Sequence, residues 1–468
     1  MSKNSTSTGR LDSSFRDPSG FVFSHEGSIY RQINAAGRAN YDQLMQTGLY
    51  KQLIEKNLLI PHTEIYDSTE LLPKHAYKII QPSQLPYISY PYEWCFSQLK
   101  DAAILTLKVQ ANALKFGMSL KDASAYNVQF LDGRPFFIDT LSFESYREDT
   151  PWVAYKQFCQ HFLAPLALMA YTDIELAKLL VTNIDGIPLP LASKLLPMKT
   201  RLNLALTAHI HLHAKLQVNY ASSEKGSEGK KTAGLSRKGL QAMVQNLANV
   251  VNKLEWKLPN TEWGDYYQNT NYSDKAADNK RAIVHNYLQL IPEELNLVQD
   301  LGANTGVFSR VAATHCKQVI SQDIDPVAVE ANYREAKKQG PSNITPLIQN
   351  LFAPSPSIGW KNCERDSFTK RAQCDALLAL ALIHHIALSN NVPLENIAEM
   401  FAGIARWVIL EFVPKSDSQV ERLLATREDI FPDYTEEGFE RSIDAYFTVI
   451  EKQKVSGSCR VLYLLKRH

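Results

Sequence analysis

The sequence predicts an α/β protein in two parts, an N-terminal α+β domain and a C-terminal open sheet built from alternating strands and helices. Three observations predict it. An apolar strand beginning near Val298 ends at Asp300, turns through Gly302 and Gly306, and continues as a helix pattern (Val307, Phe308, Val311, Ala312) into a second strand ending at Asp323. Further β-rich runs follow at Asp375 to His385, Val408 to Val413, Tyr446 to Ile450 and Arg460 to Leu465. Between the two parts, residues 222–234 are poor in apolar side chains and rich in Gly, Ser and charge, which marks a linker. With 468 residues, two domains are expected rather than one core.

The loop after the first of these strands has a chemistry. Glycine at Gly302 and Gly306 lets a cofactor lie directly against backbone, where any Cβ would push it away. About 20 positions on, an acidic residue at the tip of the second strand can accept from two ribose hydroxyls, and Asp323 stands there. A dinucleotide site would use G-x-G-x-x-G to seat a pyrophosphate. This chain has G-x-x-x-G, with Asn304 at the middle position, and Asp300 suits a cationic ligand better than an anionic one. S-adenosylmethionine (SAM) is therefore the cofactor expected.

These residues resemble the class I SAM-dependent methyltransferases over roughly residues 260 to 468. The resemblance implies a Rossmann-like sheet, mostly parallel, with the last strand antiparallel. It implies that Ile348-Gln-Asn350-Leu351 ends strand three beside the adenine, in a place where the family often carries an acid. Asn350, Leu351 and Ile324 then join Asp300, Gly302, Asn304, Gly306 and Asp323 as cofactor contacts. Tyr266, Tyr267 and Tyr272, in an aromatic segment upstream, are either packing or a cover over the cofactor. More narrowly, Ile409-Leu-Glu-Phe-Val-Pro-Lys-Ser-Asp417 and Arg427-Glu-Asp-Ile-Phe-Pro-Asp-Tyr434 resemble a bacterial group of nodulation-protein-like methyltransferases.

If the acceptor is a hydroxyl, a base must take its proton. Strand four is expected to deliver His384 and His385 to the edge of the sheet where ligands of open α/β sheets bind, and imidazole titrates near neutrality. On an extended strand only one of the pair faces the cleft; His384 is preferred. Glu411, at the end of strand five, would orient the substrate or a histidine, with a structural salt bridge as the equal alternative. The [D/N]-P-P-[Y/F] signature of methyltransferases acting on nucleobase amines is missing, so a small molecule or glycan-like acceptor is expected before a nucleic acid.

The N-terminal part carries a second pattern. Asp122 and Asn127 have the D-x-x-x-x-N spacing of a protein-kinase catalytic loop, and Asp139 follows the next short strand. In kinases these groups orient the accepting hydroxyl and hold magnesium on ATP, so the resemblance implies a kinase-like domain and an Mg-ATP site. The hairpin from Gly20 to Arg31 and a helix through Ala103, Leu107, Ala111 and Leu114 fit such a domain. There is no G-x-G-x-x-G loop and no V-A-I-K lysine, Arg31 stands for the latter, and Asp139 precedes Thr-Leu instead of Phe-Gly. Asp and Asn also cap ordinary turns. A kinase-like phosphotransferase and a non-catalytic scaffold on a SAM fold are the alternatives to methyl transfer.

The expected organisation is an arm at 1–20, an N-terminal domain at 21–221, the linker at 222–234, a helical connector and cofactor lid at 235–280, and the methyltransferase domain at 281–468. The helix through Leu240, Val244, Leu247 and Val251 is expected to pack on the last of these, with Lys280 and Arg281 facing solvent. A net charge of +1 advertises neither nucleic acid nor anionic membrane as a partner. The six cysteines have no metal-like spacing, so reduced thiols in a cytoplasmic protein and no metal site are expected. The N-terminus lacks the apolar core of a signal peptide, and no run of 18 apolar residues suggests a membrane span.

Overall fold

The structure, a computed structural model, describes residues 9–66, 76–215, 235–258, 274–340, 342–425 and 428–468. Tyr266, Tyr267 and Tyr272 lie outside them. The chain forms two compact units, one of residues 1–257 with 356–366 and one of 258–355 with 367–468.

The first unit opens with a five-stranded antiparallel sheet, order β1-β2-β3-β5-β4: β1 Gly9–Arg10, β2 Gly20–His25, β3 Ser28–Asn34, β4 His62–Ile65 and β5 Ala76–Pro82. The β2–β3 hairpin turns through Glu26 and Gly27, both at positive φ (+47° and +78°), the geometry that keeps two strands twisted together. Residues 9 to 20 are not a free arm. β1 pairs with β2, and the Leu11 N–H donates to the Val22 carbonyl at 3.0 Å.

Two helices, Arg38–Gln46 and Leu49–Glu55, connect β3 to β4. Behind them the helix Phe96–Lys115 is buried along most of its length, and two short antiparallel pairs follow, β6 (Met118–Leu120) with β9 (Phe143–Ser145) and the hairpin of β7 (Val128–Leu131) with β8 (Arg134–Phe137). The helix Arg237–Lys253, expected against the methyltransferase domain, packs instead on Phe96–Lys115 within this unit. Its apolar stripe needed a buried partner, and periodicity alone does not say which; Lys100 Nζ fastens its end by donating to the carbonyls of Asn252 and Leu254 at 2.9 and 2.7 Å.

The second unit is a seven-stranded sheet, order β12-β11-β10-β13-β14-β16-β15. Its strands are β10 Leu295–Leu301, β11 Cys316–Asp323, β12 Ile344–Ile348, β13 Cys374–Ala379, β14 Ala405–Phe412, β15 Phe447–Lys454 and β16 Val461–Arg467. The first five are parallel, and β16 runs antiparallel to both neighbours. This is the arrangement the resemblance implied, mostly parallel with the last strand antiparallel. β10 is buried along nearly its whole length, Gln299 and Asp300 included, because both faces are covered. Ile283, Val284 and Tyr287 of helix Asp274–Leu290 pack on one face with Val298 and Ile409, while Phe401 and Phe439 pack on the other with Leu377 and Val408. Among the described residues no helix is long and apolar enough to cross a membrane.

Candidate functional site

The C-terminal ends of β10, β11, β12 and β13 open onto one cavity of about 300 Å³. Its wall is made of the loop after each strand. After β10 the chain needs three left-handed residues in five, Gly302 (φ +73°), Asn304 (φ +50°) and Gly306 (φ +79°). Asparagine is the side chain that tolerates this region, and glycine meets no penalty there. The N–H groups of Gly302 and Ala303 both donate to the Gln322 carbonyl at 2.9 Å, which clamps the loop to the end of β11. A Cβ on Gly306 would lie 2.4 Å from Asn332 Oδ1, so the second glycine is required by packing as well as by φ.

Two carboxylates stand at this end of the sheet, Asp300 buried and Asp323 half-buried. Asp323 Oδ2 accepts the Asn304 N–H at 2.8 Å and Oδ1 accepts the Asp325 N–H at 2.9 Å, so the residue fixes the glycine loop while lining the cavity. Burial raises its pKa. Asp300 is pushed up to about 7, chiefly by burial, against the opposing hydrogen bond of 2.6 Å from Ser309 Oγ. A cation entering the cavity would favour its ionised form.

Of the residues read from the sequence, Asp300, Gly302, Asn304, Asp323, Ile324, Asn350, Leu351 and His385 line this cavity together. Gly306 is the N-cap of the helix Val307–Ala312 that follows the loop. Asn350 Oδ1 accepts the Phe352 N–H at 2.8 Å and the Ala353 N–H at 3.3 Å, so its oxygen shapes the turn after β12 before it can serve a ligand.

The order of the two histidines is reversed. β13 ends at Ala379, and the chain turns at Ala381 (φ +49°) before His384 begins a wide helical turn with φ −67° and ψ −31°. Alternation along a strand does not apply there. His385 lines the cavity, whereas His384 is 1% exposed, is not part of the cavity wall and leaves its Nδ1 without a partner among the described residues. Burial, then Arg460, lowers the pKa of His385, which keeps it neutral at pH 7.

Glu411 takes the structural alternative. It is fully buried, accepts a 2.6 Å hydrogen bond from Lys280 Nζ and lies 3.8 Å from Arg460 Nη1. Arg460 Nε in turn donates to Asp417 at 2.7 Å. Lys280 is 4% exposed and sits mid-helix, which corrects its expected place in solvent; Arg281 is exposed as expected. Lys280, Arg281 and Arg460 all line the cavity, and the sequence reading gave none of the three a place in the site. Lys280 could have been found, because it falls on the helical stripe of Ala276, Ile283, Val284 and Tyr287.

In the first unit, Asp122 Oδ1 accepts the Ser124 N–H at 2.8 Å, and Asn127 Nδ2 donates to Ser142 Oγ at 3.2 Å. Asp139 is ion-paired with Arg31, accepts from Ser142 Oγ at 2.6 Å and accepts the Leu141 N–H at 2.9 Å. Arg31 thus occupies the carboxylate that the Mg-ATP expectation needed for metal. Hard oxygens already bonded to a guanidinium, a hydroxyl and an amide do not fit Mg²⁺, which prefers an octahedron of oxygens and its own waters.

Over 463 residues the chain is 36% identical to nodulation protein NoeA of Rhizobium meliloti (strain 1021), spanning 98% of this chain and 96% of that protein. The chain belongs to the NoeA family. No family model matches it. Among solved structures, N-methyltransferase NodS from Bradyrhizobium japonicum WM9 aligns at 12% identity over 42% of this chain and 98% of its own, with a TM-score of 0.30. The bifunctional kinase-methyltransferase WbdD aligns at 16% over 42% and 40%, with a TM-score of 0.28. Similarities this loose bear no weight; the assignment to the NoeA family rests on the sequence identity.

Proposed function

We propose that this NoeA-family chain is a SAM-dependent methyltransferase that carries the methyl group to a hydroxyl of a small molecule or glycan-like intermediate, with His385 as the base. The observation that supports it is the convergence of the glycine loop, Asp323 and His385 on one cavity at the C-terminal edge of the sheet. Asp323 would receive the ribose hydroxyls, the side-chain-free Gly302 would admit the cofactor against backbone in a loop whose turn Gly306 permits, and Asp300 would face its positive charge. Bound there, SAM would supply an electrophilic methyl group.

The chain's own contribution is alignment and a proton acceptor. Holding two reactants in line is worth up to roughly 7 to 11 kcal/mol in favourable cases. His385, kept neutral by burial and by Arg460, takes the proton of the attacking hydroxyl.

The experiment follows tritium from the methyl group of labelled SAM into hydroxylated acceptors, with the ether confirmed by mass spectrometry. His385→Ala should lower turnover about 10²- to 10⁴-fold and leave SAM affinity unchanged. Because the pKa of His385 is lowered, the base stays deprotonated below the ordinary imidazole value, and the acid limb of the wild-type rate profile should fall below about pH 6.5. Full turnover by His385→Ala, or an acid limb above that value, would remove His385 from the reaction. His384→Ala should act through folding, by opening a hole in a packed region.

A further inference from the structure

The first unit encloses a second cavity, of about 360 Å³, that methyl transfer does not use. Aliphatic side chains from two layers frame it, Val22 and Ile80 from the five-stranded sheet and Ile138 from the segment after β8. Its polar lining includes Arg31, Tyr126, Asp139, Glu364 and Arg365.

Both carboxylates of this wall are already ion-paired, one of them to a cation outside the lining. Asp139 is matched by Arg31, and Glu364 is matched by Arg16 through two hydrogen bonds of 2.7 and 2.6 Å. Arg365 makes no ion pair among the described residues; its guanidinium lies 4.1 Å from the centre of the Tyr126 ring and donates to the Glu364 carbonyl at 2.6 Å. Because Arg16 takes Glu364, the Arg365 guanidinium is left on the wall without a carboxylate partner among the described residues. Arg31 Nε, His62 Nδ1, Tyr126 Oη and Arg365 Nε are also buried without a hydrogen-bond partner among the described residues, four polar atoms on the same wall. Native interiors seldom leave such groups clustered.

We propose that this cavity binds a nucleoside phosphate without a metal ion, its planar base between the aliphatic side chains and its phosphate at Arg365. A guanidinium is suited to phosphate, and aliphatic walls on two sides suit a flat heterocycle better than a polyol. The bonds that close Asp139 to magnesium make this a binding site rather than a phosphotransfer centre.

The probe is ATP, titrated calorimetrically into the full chain in EDTA and again with excess Mg²⁺, with Arg365→Ala and Val22→Trp as variants. Circular dichroism of each variant reports whether the chain has folded. The expected result is binding in EDTA that Mg²⁺ does not strengthen, weakened about tenfold or more in Arg365→Ala, the loss of one charge-assisted contact. Val22→Trp should weaken it as well by filling the apolar slot. No ATP binding by the wild-type chain, binding that requires Mg²⁺, or full-strength binding by a folded Arg365→Ala would each overturn the proposal.

Discussion

Gly306→Val is expected to abolish SAM binding, with affinity falling at least about 100-fold, while the chain remains folded. Two effects add. At φ +79° a β-branched residue is strained by about 1 to 3 kcal/mol, and its Cβ would stand 2.4 to 2.6 Å from all three outer atoms of the Asn332 amide. Asn332 cannot simply turn away. It is buried, and its Nδ2 donates to Ser321 Oγ at 2.8 Å, which lies 2.7 Å from Ser309 Oγ, the donor to Asp300. Relief at Gly306 would therefore come from moving the loop, the part of the site that lies against the cofactor. Calorimetric titration with SAM, with circular dichroism to report folding, checks this; a folded variant that binds normally would place the cofactor elsewhere.

Lys280→Met should be the most destabilising single change near the cavity, at about 3 kcal/mol, because it leaves Glu411 buried with its nearest cation gone. Burial lowers the pKa of Lys280 and Glu411 opposes this, so the pair is held against a desolvation cost. Arg460, 3.8 Å from Glu411 Oε1, limits the loss without removing it. Urea unfolding followed by circular dichroism measures the change. Lys280→Met combined with Glu411→Leu should recover most of the stability, since an apolar pair of similar volume often replaces a buried ion pair at little cost. A double variant no better than the single one would show that Lys280 stabilises the helix by packing alone.

The second sheet was legible because its signals are local. Strand, glycine turn, helix and strand occupy Leu295 to Asp323 without a break, and each parallel strand carries at least two consecutive apolar residues. The histidines were misordered because β13 stops at Ala379 and the turn at Ala381 uses a left-handed alanine, a residue whose type gives no sign of that conformation. Arg460 was hidden for a different reason. It meets Asp417 across 43 positions, and such a pair is set by the closing of the sheet, which no local pattern records. Arg237–Lys253 showed its apolar stripe plainly and its partner not at all, since a stripe of helical period fits any complementary face. The loops of Asp122 and Asp139 bonded as the ordinary turn reading of Asp allowed, each carboxylate capping an N–H two residues on.

The most direct measurement is calorimetric titration of the purified chain with SAM, beside Asp323→Ala. The wild-type chain should bind one equivalent, and Asp323→Ala should bind at least about 100-fold more weakly, having lost both the ribose acceptor and the hydrogen bond that holds the Asn304 N–H. No binding by the wild-type chain, or equal binding by a folded Asp323→Ala, would contradict the account.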